Sequence, residues 1–162
     1  MRLIVQPDYS GIAEWTANYI ATQITKASPT QDSPFVIGLP WANTSLGVYT
    51  HVVKLYEAGE LDFENVVAFC LDEFVELPQD HPQSQATYMW TNLFGKVNVK
   101  RENVNILDGN ADDLEAECVH FEEKVSRRMD EKSISTNRDA VSEPPPPPPP
   151  PPPLPPPPPP PL

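Results

Sequence analysis

Basic residues, cysteines and long apolar runs are all scarce in this 162-residue chain, and each scarcity removes a class of function. Lys and Arg total 11 against 23 Asp and Glu, a formal net charge of −12, so the basic footprint that general nucleic-acid binding requires is missing. An acidic chain can still hold a phosphorylated metabolite, because a few backbone amides at a helix start bind phosphate locally. The two cysteines, Cys70 and Cys118, define neither a disulfide framework nor a zinc knuckle; buried thiols in a reducing compartment are the expectation. No apolar run approaches the length that spans a membrane. The opening Met1-Arg2-Leu3-Ile4-Val5 lacks the apolar core and cleavage site of a signal peptide, which makes the cytoplasm the expected location.

Proline is the one residue in excess. Of 23 prolines, most lie in residues 144–161, interrupted only by Leu154, and that segment cannot bury a core. The expected organisation is a globular part over residues 1–130, a linker over 131–143 and a polyproline tail over 144–162. Proline fixes φ and removes backbone donors, so the tail is expected to be a disordered, extended polyproline II segment. Such segments dock in aromatic-lined grooves of the profilin, SH3, WW or EVH1 kind, although a low-complexity terminus without a partner has the same composition.

The globular part alternates strand-like and helix-like stretches. Residues 2–5 read as a first strand, and Ile12, Ala13, Trp15, Ala17, Tyr19, Ile20 and Ile24 form a helical stripe ending near Lys26. Phe35-Val36-Ile37-Gly38-Leu39 reads as a buried strand. Thr44 or Ser45 can cap the helix after it, and Gly59 can end that helix in a left-handed conformation. Val66-Val67-Ala68-Phe69-Cys70 is a further buried strand. Ser84 is a candidate cap for a helix carrying Ala86, Met89, Trp90, Leu93 and Phe94. Residues 103–107 fit a short strand or an extended connection. Asn110 can cap a last helix, whose stripe of Leu114, Cys118, Phe121 and Val125 falls on one face. Strands separated by helix-length crossovers predict an α/β fold, a doubly wound, Rossmann-like parallel sheet with helices on both faces.

The strand at 66–70 runs directly into Leu71-Asp72-Glu73. Ligands of open parallel sheets bind beyond the carboxyl ends of the strands, so Asp72 is the leading candidate for acid or base chemistry. Acidic residues after a strand also solvate loops and cap helices, and that reading stands beside the functional one.

Several collinear motifs resemble the glucosamine-6-phosphate deaminase (isomerase) family: residues 35–40, Asp72-Glu73-Phe74-Val75, Asp80-His81-Pro82, Asn92-Leu93-Phe94, residues 106–111 and Glu115-Ala116-Glu117-Cys118 through Lys124. The resemblance covers about residues 1–127. It implies conversion of glucosamine 6-phosphate and water to fructose 6-phosphate and ammonia, without metal or redox cofactor. Asp72 takes the position of the family's general base, where burial on a rigid strand end would tune a carboxylate for proton transfer. Glu73 becomes a supporting neighbour.

The family's phosphate loop, rich in Gly and Thr, is replaced here by Leu39-Pro40-Trp41-Ala42-Asn43-Thr44-Ser45. Ala42, Asn43 and Thr44 are therefore a degraded phosphate site, with Trp41 adding bulk and Ala42 unable to adopt positive φ as cheaply as Gly. Family members continue into an Asp-Gly-His-Ile-Ala-Phe-Asn-Glu-Pro motif whose Asp, His and Glu open the sugar ring. No such motif occurs in these residues, and His51, His81 and His120 align with non-catalytic positions. The implied architecture is thus an incomplete sheet, and the implied activity of this chain alone is weak or absent. The alternative is an interaction protein that uses its proline tail, or that joins the oligomer of itself or of a full-length deaminase. A related sugar-phosphate lactonase is a further enzymatic alternative.

Overall fold

The computed structural model describes residues 3–133, with side-chain surroundings through Arg128. The proline tail and all of the predicted linker beyond residue 133 lie outside the described residues. In chain order the elements are α1 (Tyr9–Ala27), β1 (Phe35–Leu39), α2 (Leu46–Glu57), β2 (Val66–Cys70), α3 (Gln85–Asn92), β3 (Val104–Asn105) and α4 (Leu114–Ser133). Short 3-10 turns at Phe94–Lys96 and Arg101–Asn103 precede β3.

The three strands form one parallel sheet in the order β1-β2-β3. β2 is central and buried along its whole length, as its run of apolar side chains requires. Its alternate residues serve two faces. Val66, Ala68 and Cys70 join Ala17 and Ile24 of α1, Tyr49, Val52 and Val53 of α2, and Met89 of α3 in one core. Phe69 points the other way and meets Phe121 of α4 edge to face at 5.5 Å. Helices therefore cover both faces, the predicted doubly wound arrangement.

Local chemistry sets the helix boundaries. Asp8 caps α1 by accepting the Gly11 N–H at 2.8 Å. At the end of α2, the Gly59 and Glu60 amides donate to Tyr56 and Leu55 in a Schellman turn, with Gly59 at φ 74°. Gly47 sits where α1 and α2 touch; any Cβ there would lie 2.8 Å from the Tyr9 hydroxyl and 3.0 Å from the Ala13 Cβ.

Four expectations are corrected. No strand forms at residues 3–5: Leu3 and Val5 are each 77% exposed, and an apolar run gives a strand only where a neighbour offers a ladder. Ser45 stands at the α2 cap position, yet its hydroxyl donates to the Pro40 and Ala42 carbonyls and caps no helix amide. α4 begins later than Asn110; Asp113 accepts the Ala116 amide at 2.9 Å, while Asn110 is held in the preceding turn by Asp108 and Leu77. Cys70 is buried as expected, but Cys118 is exposed.

Candidate active site

The loops that leave the carboxyl ends of β1 and β2 meet over the start of α3, and Asp72 and Glu73 divide the work between them. Glu73 faces α3. Its Oε1 accepts the Gln85 amide at 3.0 Å and the Phe74 amide at 2.9 Å, and its Oε2 accepts the Ala86 amide at 2.9 Å. The Ser84 hydroxyl accepts the next amide, Thr87, at 3.0 Å. The first three amides of the helix are thus satisfied by a carboxylate at its positive end and a serine cap.

Asp72 turns the other way and stands exposed to solvent, not buried as a strand-end base was expected to be. Two side-chain donors hold it. The Trp41 indole Nε1–H reaches across from the loop after β1 and donates to Oδ2 at 2.9 Å, and the Gln85 amide Nε2 donates to the same oxygen at 3.0 Å. Oδ1 receives neither bond. The Trp41 ring packs edge to face against Phe74 at 5.4 Å and Tyr88 at 6.1 Å. Gln85 is itself buried, and its Oε1 has no hydrogen-bond partner.

The loop over residues 40–45 is wired by hydroxyl groups. Tyr49 and Ser45 donate to the Pro40 carbonyl, Ser45 and Tyr88 to that of Ala42, and Tyr9 to those of Asn43 and Thr44. Tyr9 also accepts the Gly47 amide at 2.8 Å, taking one of the open donors at the start of α2. In a planar trans peptide the N–H points opposite to the C=O. The Trp41, Asn43 and Thr44 amides therefore point opposite to the Pro40, Ala42 and Asn43 carbonyls that these hydroxyls hold. None of residues 41–45 has positive φ, so Ala42 carries no left-handed strain.

Sequence reasoning placed Asp72 and Glu73 at a strand end and the 42–44 loop beside them, and the fold brings these together. It missed Gln85, Tyr9 and Tyr88. A glutamine directly after a serine cap, opening an otherwise apolar helix face, was the available sign for Gln85; the tyrosines carry no sign of a loop partner 35 or 46 residues away.

Cys70 lies under this site. Burial, together with the nearby Glu73 and Asp72 charges, pushes its thiol up to about 12, so it is protonated and unreactive at neutral pH. A thiol reagent is therefore expected to modify the exposed Cys118 rapidly in the folded chain and Cys70 only in denaturant; rapid modification of both would contradict the burial of β2.

The sequence profile of glucosamine-6-phosphate isomerases/6-phosphogluconolactonase matches residues 7–141. The glucosamine-6-phosphate deaminase of Phocaeicola vulgatus is 47% identical over 126 residues, which are 78% of this chain and 48% of that protein. That of Parabacteroides distasonis is 48% identical over 125 residues, 77% of this chain and 46% of its own length. The chain thus spans about half the length of the curated relatives it matches. A solved monomeric glucosamine-6-phosphate deaminase superposes with a TM-score of 0.73 at 31% identity, over 78% of this chain and 51% of the other. The 6-phosphogluconolactonase of Thermotoga maritima shares the fold, with a TM-score of 0.59 at 20% identity over 72% of this chain and 50% of its own. A parallel sheet with its acidic pair at the central strand end and a profile match over most of the chain lead to one assignment: this chain belongs to the family of glucosamine-6-phosphate isomerases and 6-phosphogluconolactonases.

Proposed function

We propose that Asp72 is the general base of an aldose–ketose proton transfer on glucosamine 6-phosphate, in the cytoplasm. The observation that carries this reading is the orientation of Asp72: both protein donors are on Oδ2, and Oδ1 is left for the substrate proton. The Asn43 and Thr44 amides, with Ala42 between them and Trp41, are the groups offered to the sugar's phosphate at the start of α2. Glu73 supports the site by fixing α3 and takes no proton. Relatives named as glucosamine-6-phosphate deaminases at 47–48% identity favour the deaminase over the lactonase.

These 162 residues acting alone are proposed to turn over little or no glucosamine 6-phosphate, because no Asp-Gly-His ring-opening motif occurs among them. Two assays separate the parts of this proposal. Release of ammonia and fructose 6-phosphate from glucosamine 6-phosphate is expected to stay at background; clear turnover would defeat the inactivity. Deuterium uptake at C1 of fructose 6-phosphate, whose open-chain fraction needs no ring opening, is expected to exceed background and to fall to it in Asp72→Asn. Equal uptake in both chains would remove Asp72 as the base.

The proline run at 144–161 favours a second, separate role as a ligand for a polyproline-binding protein. Capture on immobilised profilin is expected, with loss on deleting residues 143–162; unchanged capture excludes the tail. Assembly with itself or a full-length deaminase is a further proposal, read by the mass of the complex in solution.

A further inference from the structure

The loop that would cradle a phosphate and the carboxylate that would take a proton are joined by one side chain. Trp41 leaves the loop after β1, crosses the crevice between the strand ends and donates its indole N–H to Asp72 at 2.9 Å. Its ring is fixed on two further sides, by Phe74 from the loop after β2 and by Tyr88 from α3. Tyr88 in turn donates to the Ala42 carbonyl at 2.9 Å, so ring, loop and helix form one closed circuit of contacts. A sugar phosphate with its phosphate on the 42–44 amides and its reacting carbons at Asp72 has to bridge the same two points that the indole bridges.

We propose that Trp41 is a positioning and specificity-determining residue that occupies the sugar's path. A sugar phosphate binds here only by displacing the indole from Asp72, its own hydroxyl replacing the indole N–H on Oδ2. Gln85 is the counterpart that stays. Its amide keeps the second bond to Oδ2 when Trp41 leaves, so the carboxylate does not swing away with the loop. Its buried Oε1 has no hydrogen-bond partner, and the cost of that unpaired acceptor is one that a second donor on the same ligand, an amino or hydroxyl group, can remove. The ligand class this selects is a polyhydroxylated or amino-bearing sugar phosphate that presents donors to the Asp72–Gln85 pair. A free phosphate seated on the 42–44 amides is too short to reach the Asp72–Gln85 pair as well, the span that the indole bridges, and so leaves the latch closed.

This inference rests on the deaminase reading for its ligand, and the experiment separates the two. The full 162-residue chain, Trp41→Phe and Trp41→Ala are titrated with glucosamine 6-phosphate and, separately, with inorganic phosphate, followed by calorimetry and by the indole Nε1–H signals in 1H–15N spectra. Removing a hydrogen bond to a charged group is expected to tighten glucosamine 6-phosphate binding by about tenfold or more in Trp41→Ala. Trp41→Phe keeps an aromatic ring against Phe74 and Tyr88 while losing the N–H, and its affinity is expected to fall between the other two. In the unsubstituted chain the Trp41 Nε1–H signal is expected to move on saturation with glucosamine 6-phosphate and to stay in place with inorganic phosphate. Equal affinity in all three chains, or a stationary Trp41 signal at saturation, overturns the latch and leaves the deaminase reading standing. Absence of glucosamine 6-phosphate binding in all three overturns both.

Discussion

Replacing Gly109 with alanine is expected to destabilise the chain by about 3 kcal/mol or more, beyond the usual range for a single methyl group. A Cβ at this buried glycine would lie 1.9 Å from the Phe74 carbonyl oxygen and 2.9 Å from its carbon. Both are backbone atoms, so no side-chain rotation relieves the overlap. The turn after β3 would have to lift off the loop after β2, breaking the bond from the Glu76 amide to the Gly109 carbonyl and that from the Asn110 amide group to Leu77. Those contacts also hold Glu76 at φ 62°, a left-handed conformation that a residue with a side chain adopts at a cost of about 1–2 kcal/mol.

Gly59→Ala is the internal control. It forces the same residue type into φ 74° but meets nothing within 4 Å, and the expected cost is about 1 kcal/mol. Urea unfolding of the two variants measures the difference. Similar losses would mean that the 74–77 loop yields easily, and that Phe74 is a poor wall for Trp41.

Gly109 also shows where the sequence was legible and where it was not. The apolar run of β2, the Ser84 cap and the Gly59 terminator are local signals, each decided by residues a few positions apart, and each was readable. The parallel order followed from the lengths of the crossovers. The docking of Gly109 on Phe74, and of Trp41 on Asp72, joins loops 35 and 31 residues apart, and no periodicity reports such contacts. The first predicted strand failed for the opposite reason: its local pattern was adequate, but a strand is stabilised by a neighbour that the described residues do not provide. At the loop, the expected penalty for lacking glycines rested on a need for positive φ. The chain instead turns through residues 41–45 with ordinary backbone angles, pinned by the hydroxyls of Tyr9, Ser45, Tyr49 and Tyr88.

The two adjacent carboxylates should separate cleanly when substituted, and this is the sharpest test of how the site is divided. Glu73→Ala removes three backbone hydrogen bonds to a charged acceptor and strands the amides of two buried residues, Gln85 and Ala86. At about 1.5–3 kcal/mol for each bond to a charged group, with water recovering part of the loss, the expected destabilisation is about 3 kcal/mol. Glu73→Gln keeps one acceptor oxygen and should lose about half of that. Asp72→Asn is exposed and retains an oxygen for the Trp41 indole, so its expected cost is below about 1 kcal/mol. The functional order is reversed. Deuterium uptake into fructose 6-phosphate should vanish in Asp72→Asn, whereas Glu73→Gln, assayed well below its unfolding midpoint, should keep a measurable part of it because Asp72 still has its two donors. Should Glu73→Gln be fully stable yet lack all exchange, Glu73 would carry the proton and Asp72 the scaffold, reversing the assignment made from the hydrogen bonds.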